Sequence, residues 1–80
     1  MSLKSLIERE HEAIQRWESD RKIWQIEADE TKKFPELANN KYWMGMIEQD
    51  RENLIKARNE LAAIRYELAE YIRELLAGKE

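Results

Sequence analysis

Eighty residues carrying 17 acids, 14 bases and a formal net charge of −3 make one small acidic domain, able to bury only about 60% of its unfolded surface. With no cysteine, disulfide staples and thiolate metal sites are excluded. With both signs of charge interspersed, so is the concentrated basic surface that nonspecific nucleic-acid binding requires. No apolar run approaches the roughly 20 residues that span a bilayer. The opening Met1-Ser2-Leu3-Lys4-Ser5-Leu6 turns polar at Glu8, leaving no apolar core for a signal peptide. A cytoplasmic protein is expected.

The first predicted element is a helix over about 3–32. It can start after Ser2 or Ser5. Ser5 is the preferred cap, because Glu8 three residues later completes a capping box. Its apolar seam reads Leu3, Ile7, Glu10, Ile14, Trp17, Arg21, Trp24, Ala28 and Thr31, steps of four and three that keep one stripe facing a partner helix. Trp17 and Trp24, seven apart on that stripe, are expected in the core. Glu12–Arg16, Glu18–Lys22, Asp29–Lys33 and Glu52–Lys56 have the i,i+4 acid-before-base order that supports helices by a few tenths of a kcal/mol, roughly. Glu27, Glu30, Glu67, Glu70 and Glu74 fall on faces that the repeat leaves to solvent. Lys32 and Lys33 suit the negative end of the helix dipole.

A turn over about 33–40 follows. Phe34 precedes Pro35, and a residue before proline is driven out of the helical region. Pro35-Glu36-Leu37-Ala38 suits a helical turn with proline first, and Asn39 or Asn40 suits the cap of the next helix.

The second helix, over about 41–77, carries the stronger repeat. Ile47, Leu54, Leu61, Leu68 and Leu75 recur every seventh residue, with Trp43, Asp50, Ala57, Ile64 and Tyr71 between them. Gly78 is placed to end it. The fold class is therefore all-α: one domain over 1–80, an antiparallel two-helix hairpin with coiled-coil-like heptad packing. If the numbers of facing residues sum to 71, Trp17 meets Leu54, Ile7 meets Ile64, and the two charges that interrupt the seams, Arg21 and Asp50, face one another. Either left buried alone would cost several kcal/mol, roughly, so this register is expected.

In it, helix two outruns helix one by about two turns, leaving Tyr71, Ile72, Leu75 and Leu76 uncovered. Ile55, Ala62, Ala69 and Leu76 add a second seven-residue row beside the leucine seam. One neighbouring helix cannot bury so wide a face. These residues are the expected partner interface, serving a homodimer closed into a four-helix bundle or an unidentified protein. Tyr42, Met44 and Met46, crowded around Trp43, either close the hairpin tip or form a second patch, since methionine and aromatic residues favour interfaces.

Chemistry is thinly represented. Glu8 and His11 have the Glu-x-x-His spacing of carboxylate-bridged metal bundles, with Glu60 across from His11 in this register; a metal-binding bundle assembled across a homodimer is the alternative function. Solvated side chains on a charged helix explain the same short motif, and no metal or other cofactor is expected. Arg51, Arg58 and Arg65 form a stripe that would serve a nucleic-acid-associated regulator, a second alternative, although pairing with glutamates of the neighbouring helix is the expected use. No glycine elbow surrounds a serine and no glycine-rich loop is present. An enzyme is not expected. The leading reading is a protein–protein interaction module acting as an adaptor, regulator or inhibitor of a larger partner.

Overall fold

Two long helices joined by a proline-started turn make up the computed structural model, which describes residues 2–78. α1 spans Leu3–Lys33, a 3-10 helix spans Pro35–Asn39, and α2 spans Lys41–Leu76. The two α-helices lie side by side in a rod of 60 × 16 × 14 Å. The all-α helical hairpin expected from the repeat is what forms, with boundaries within a residue or so of those expected.

The ends follow from local chemistry. Ser2, not Ser5, caps α1: its side chain accepts from the Ser5 N–H. That choice leaves Ser5 inside the first turn, so the expected capping box does not form. Phe34 leaves the helix at φ −125°, ψ 81°, as its position before Pro35 requires. The Asn40 side chain caps α2 by accepting from the Trp43 N–H at 3.0 Å. At the far end Gly78 takes φ +75°, a left-handed conformation that glycine adopts without a Cβ penalty, and its N–H reaches the Leu75 carbonyl.

Along α2 the expected seam is the observed one. Ala57 and Leu61 are buried, and Trp43, Ile47, Asp50, Leu54, Ile64, Leu68 and Tyr71 are half-buried. On α1 only one of the two rows is as expected. Leu3, Glu10, Trp17, Trp24 and Thr31 face inward and are half-buried. The row that completes the seam, however, is Leu6, Ala13, Asp20 and Glu27, not Ile7, Ile14, Arg21 and Ala28. Leu6, Ala13 and Glu27 are buried, while Ile7 and Arg21 are exposed. α1 is thus rotated by about one residue from the expected orientation. Arg21 avoids burial and lays its guanidinium 5.5 Å from the centroid of the Trp17 ring, a cation–π arrangement.

The register also differs. Across the seam Arg9 pairs with Glu67, Arg16 with Glu60 and Arg65 with Glu10, and Glu27 neighbours Asp50, so facing numbers sum to 75–77. The expected sum of 71 is overturned by about five residues, roughly 7 Å of sliding at 1.5 Å per residue. The connection explains it. With α1 ending at Lys33 and α2 starting at Lys41, the apex is Leu37, and residues equidistant from it sum to 74. Turn geometry outweighs the charge match between Arg21 and Asp50. None of the four expected i,i+4 pairs forms among the described residues; Arg16 turns across the seam to Glu60 instead.

A two-helix hairpin has no enclosed interior. The buried apolar residues are Leu6, Ala13, Ala57 and Leu61, and Trp17 and Trp24 are only half-covered. Ala57 is 2% exposed and sits in the seam between the two helices, beside Arg16 and Asp20 of α1. Ala57→Leu is therefore expected to push the helices apart at a cost of about 1–3 kcal/mol. An unshifted thermal unfolding curve for that variant, followed by circular dichroism, would show that the helices are spaced more loosely than described.

Candidate interaction surface

The seam divides the rod into two faces of different character. One is polar. There Arg9 meets Glu67 at 3.1 Å and Arg16 meets Glu60, lining a groove with Glu12, Ala13, Ala63 and Ile64. These ion pairs are about half exposed, so each contributes no more than about 1 kcal/mol. They close that side with matched charge.

The opposite face is open, with large apolar side chains set among the charged Glu18, Arg21, Arg51, Arg58 and Arg65. A groove of about 520 Å³ runs between Ile14, Trp17 and Glu18 of α1 and Arg58, Leu61, Ala62 and Arg65 of α2. A second, of about 380 Å³, continues toward the tip between Trp17, Arg21 and Trp24 and Arg51, Leu54 and Ile55. The heptad spacing continues this face toward the chain ends through Ile7 on α1 and Ala69, Ile72 and Leu76 on α2. Ile7, Ile55, Ile72 and Leu76 are all exposed.

Of the expected interface residues, Ile55, Ala62, Ala69, Ile72 and Leu76 share this face, and the structure adds Ile14, Trp17 and Trp24 from α1. The uncovered end of α2 is shorter than expected. Because the register slides by five residues, Leu6 reaches the level of Glu70 and Tyr71. Tyr71 is then half-buried, and only about one turn, with Leu75 and Leu76, runs past α1. The second expected patch divides: Met44 is half-buried, while Tyr42 and Met46 are exposed. Trp43 turns inward and donates from Nε1 to Thr31 Oγ1 at 2.8 Å, and Thr31 donates in turn to the Glu27 carbonyl.

The three residues of the alternative metal reading, Glu8, His11 and Glu60, are not brought together within one chain. Glu60 lies across from Arg16, not His11, because of the same slide. His11 pairs its Nε2 with the Gln15 side chain at 3.2 Å, and Glu8 is exposed. Among the described residues, no three His, Asp or Glu side chains are placed to hold a metal ion. The arginine stripe is divided as well. Arg65 donates to Glu10 at 3.0 Å across the seam, and Arg51 stands 4.0 Å from Glu48 of its own helix. Arg58 forms no ion pair with a described residue. No helix of the described residues is long and apolar enough to cross a membrane.

The feature that sequence reasoning missed is a buried carboxyl, Glu27, near half-buried Asp50 of α2. Glu27, assigned to a solvent face, is 8% exposed. Its Oε1 is buried with no hydrogen-bond partner. Burial first, then the neighbouring Asp50 carboxyl, push its pKa up to about 7. Reading Leu6, Ala13 and Asp20 as an inward row would have led to Glu27, seven residues on.

Compared with known proteins, the chain matches no family model, no curated protein and no solved structure.

Proposed function

We propose that this hairpin is a protein–protein interaction module, an adaptor, regulator or inhibitor working through its open helical face, and that a second copy of the chain covers that face to make a four-helix bundle. The observation that carries the reading is surface area. The chain exposes 6349 Å², whereas a compact protein of 9.7 kDa exposes about 5,100 Å². The excess, about 1,200 Å², is more than the roughly 800 Å² that each partner buries in a standard interface. A two-fold dimer, the commonest closed assembly, brings Ile14, Trp17, Ile55, Ala62 and Ile72 of one copy against the same residues of the other. The small Ala62 and Ala69 permit close approach. A heterologous helical partner would use the same residues, and its arrival would displace the second copy.

Light scattering on the purified chain tests this. The wild type is expected at twice 9.7 kDa, and an Ile55→Glu, Ile72→Glu double variant at the monomer mass with its helical circular dichroism retained. A monomeric wild type across micromolar concentrations rules out the homodimer. A dimeric double variant would place the contact on another face.

A further inference from the structure

We propose that the tip half of the open face, the groove walled by Trp17, Arg21 and Trp24 of α1 and Arg51, Leu54 and Arg58 of α2, docks an acidic amphipathic helix of a different protein. Such docking rests on the open face being an interaction surface, as proposed above, and its occupant displaces the second copy. Charge points to the partner first. The chain carries a net charge of −3, yet three arginines and no acid line this groove of about 380 Å³. Arg58 forms no ion pair or hydrogen bond with a described residue, and Arg21 meets only the Trp17 ring. Arg51 has one contact, 4.0 Å from Glu48. Elsewhere along the seam arginine is matched: Arg9, Arg16 and Arg65 each meet a glutamate of the facing helix.

Shape points the same way. The groove follows two helices lying side by side, so a third helix set into it closes a three-helix bundle. Trp17, Trp24 and Leu54 are half-buried, and the apolar surface they leave in the groove suits the apolar stripe of such a helix. Arg51 and Arg58 stand seven residues apart on one wall, about 10.5 Å at 1.5 Å per residue, and Arg21 stands on the other. A helix with leucine at heptad positions a and d and glutamate at e and g matches both features. Its leucines cover the tryptophans, acids seven apart meet Arg51 and Arg58, and an acid of its other edge meets Arg21. The planar, weakly hydrated guanidinium suits interface pairs of this kind.

A second copy does not supply this match. Related by a two-fold axis, it presents the same face and therefore the same arginines, so it covers apolar surface without bringing acids to the guanidinium groups. Nucleic acid fits less well than an acidic helix. Glu18 and Glu48 stand at the rim, the chain as a whole is acidic, and a duplex has no apolar stripe to lay on the tryptophans.

Fluorescence anisotropy with two labelled, three-heptad synthetic helices tests the site. One has leucine at a and d and glutamate at e and g; its counterpart has lysine in place of glutamate. The wild-type chain is expected to bind the glutamate helix, less tightly as salt is raised, and the lysine helix at least about tenfold more weakly. In the Arg51→Glu, Arg58→Glu double variant both altered side chains are exposed, and circular dichroism checks that helicity is kept. There the preference should reverse, the glutamate helix losing about tenfold or more in affinity while the lysine helix gains. Damage to the fold cannot produce a reversal. Should that variant not fold, the wild-type preference between the two helices decides alone. No binding of the glutamate helix at concentrations up to about 100 µM, equal binding of the two helices, or an unchanged preference in the folded double variant overturns the proposal. So does tighter binding of duplex DNA than of the glutamate helix near physiological salt. Light scattering separates the two readings: a monomeric wild type that binds the glutamate helix overturns the homodimer alone, and a dimeric wild type that does not bind it overturns the acidic partner alone.

Discussion

Replacing Leu61 by alanine is expected to cost about 2–5 kcal/mol, a large part of the roughly 4–12 kcal/mol available to a domain of this length. Leu61 is 6% exposed and lies between Ile14 and Trp17 at mid-rod. Among the described residues the seam holds four buried apolar residues, and two of them are alanines, so Leu61 and Leu6 supply most of the fully covered aliphatic surface. Removing one cannot be compensated by a second layer, because there is none. Ile26→Ala on the outer surface, where Ile26 is 63% exposed, is the control and should change stability by no more than about 0.5 kcal/mol. Equal urea midpoints for the two variants would mean that the seam is not where the burial places it. Trp17→Ala tests the proposed second copy separately from the hairpin. Half-buried in the isolated chain, Trp17 should cost more to truncate when a second copy covers it, so its effect should grow with protein concentration.

How much of this was legible depended on how strongly each segment excluded alternatives. α2 has one apolar row of leucine and isoleucine at strict sevens, and it packs as written. α1 has two competing rows: Leu6 and Ala13 on one side of Leu3, Glu10 and Trp17, and Ile7 and Ile14 on the other. The isoleucines are larger and argue for themselves by hydrophobicity alone. Yet Leu6 and Ala13 are taken inward and Ile7 is left out, an orientation that leaves the apolar face wide on one side. A broad stripe specifies a helix without specifying its rotation. The register was hidden for another reason. It follows from where the 3-10 turn begins and ends, whereas the sum of 71 came from matching the two seam charges, not from the turn. Pairing Arg21 with Asp50 was chemically sensible, but an exposed arginine over a tryptophan ring satisfies its charge without desolvation. Burial of Glu27 was the consequence, not legible until rotation and register were both known.

Glu27→Met is expected to stabilise the hairpin at neutral pH by about 1–4 kcal/mol, because well-packed apolar residues in place of buried charge often do so. Methionine matches glutamate in length and lacks branching, so it fits the site without forcing the helices apart. It removes the cost of burying the Glu27 carboxyl, the unpartnered Oε1 and the repulsion on Asp50 together. Asp50, half-buried, keeps access to water and tolerates the change. The sign with pH separates this account from a simple gain in packing. Below about pH 4.5 wild-type Glu27 is protonated in both the folded and unfolded chain and carries no electrostatic cost, so the advantage of the Glu27→Met variant should shrink there to what packing alone supplies. For a domain of this length each kcal/mol moves the unfolding temperature by roughly 4–8 °C, within easy reach of a circular dichroism melt at fixed protein concentration. A melting temperature lowered at pH 8 would mean that the Glu27 carboxyl contributes attraction the seam depends on, and would reverse the sign assigned to it.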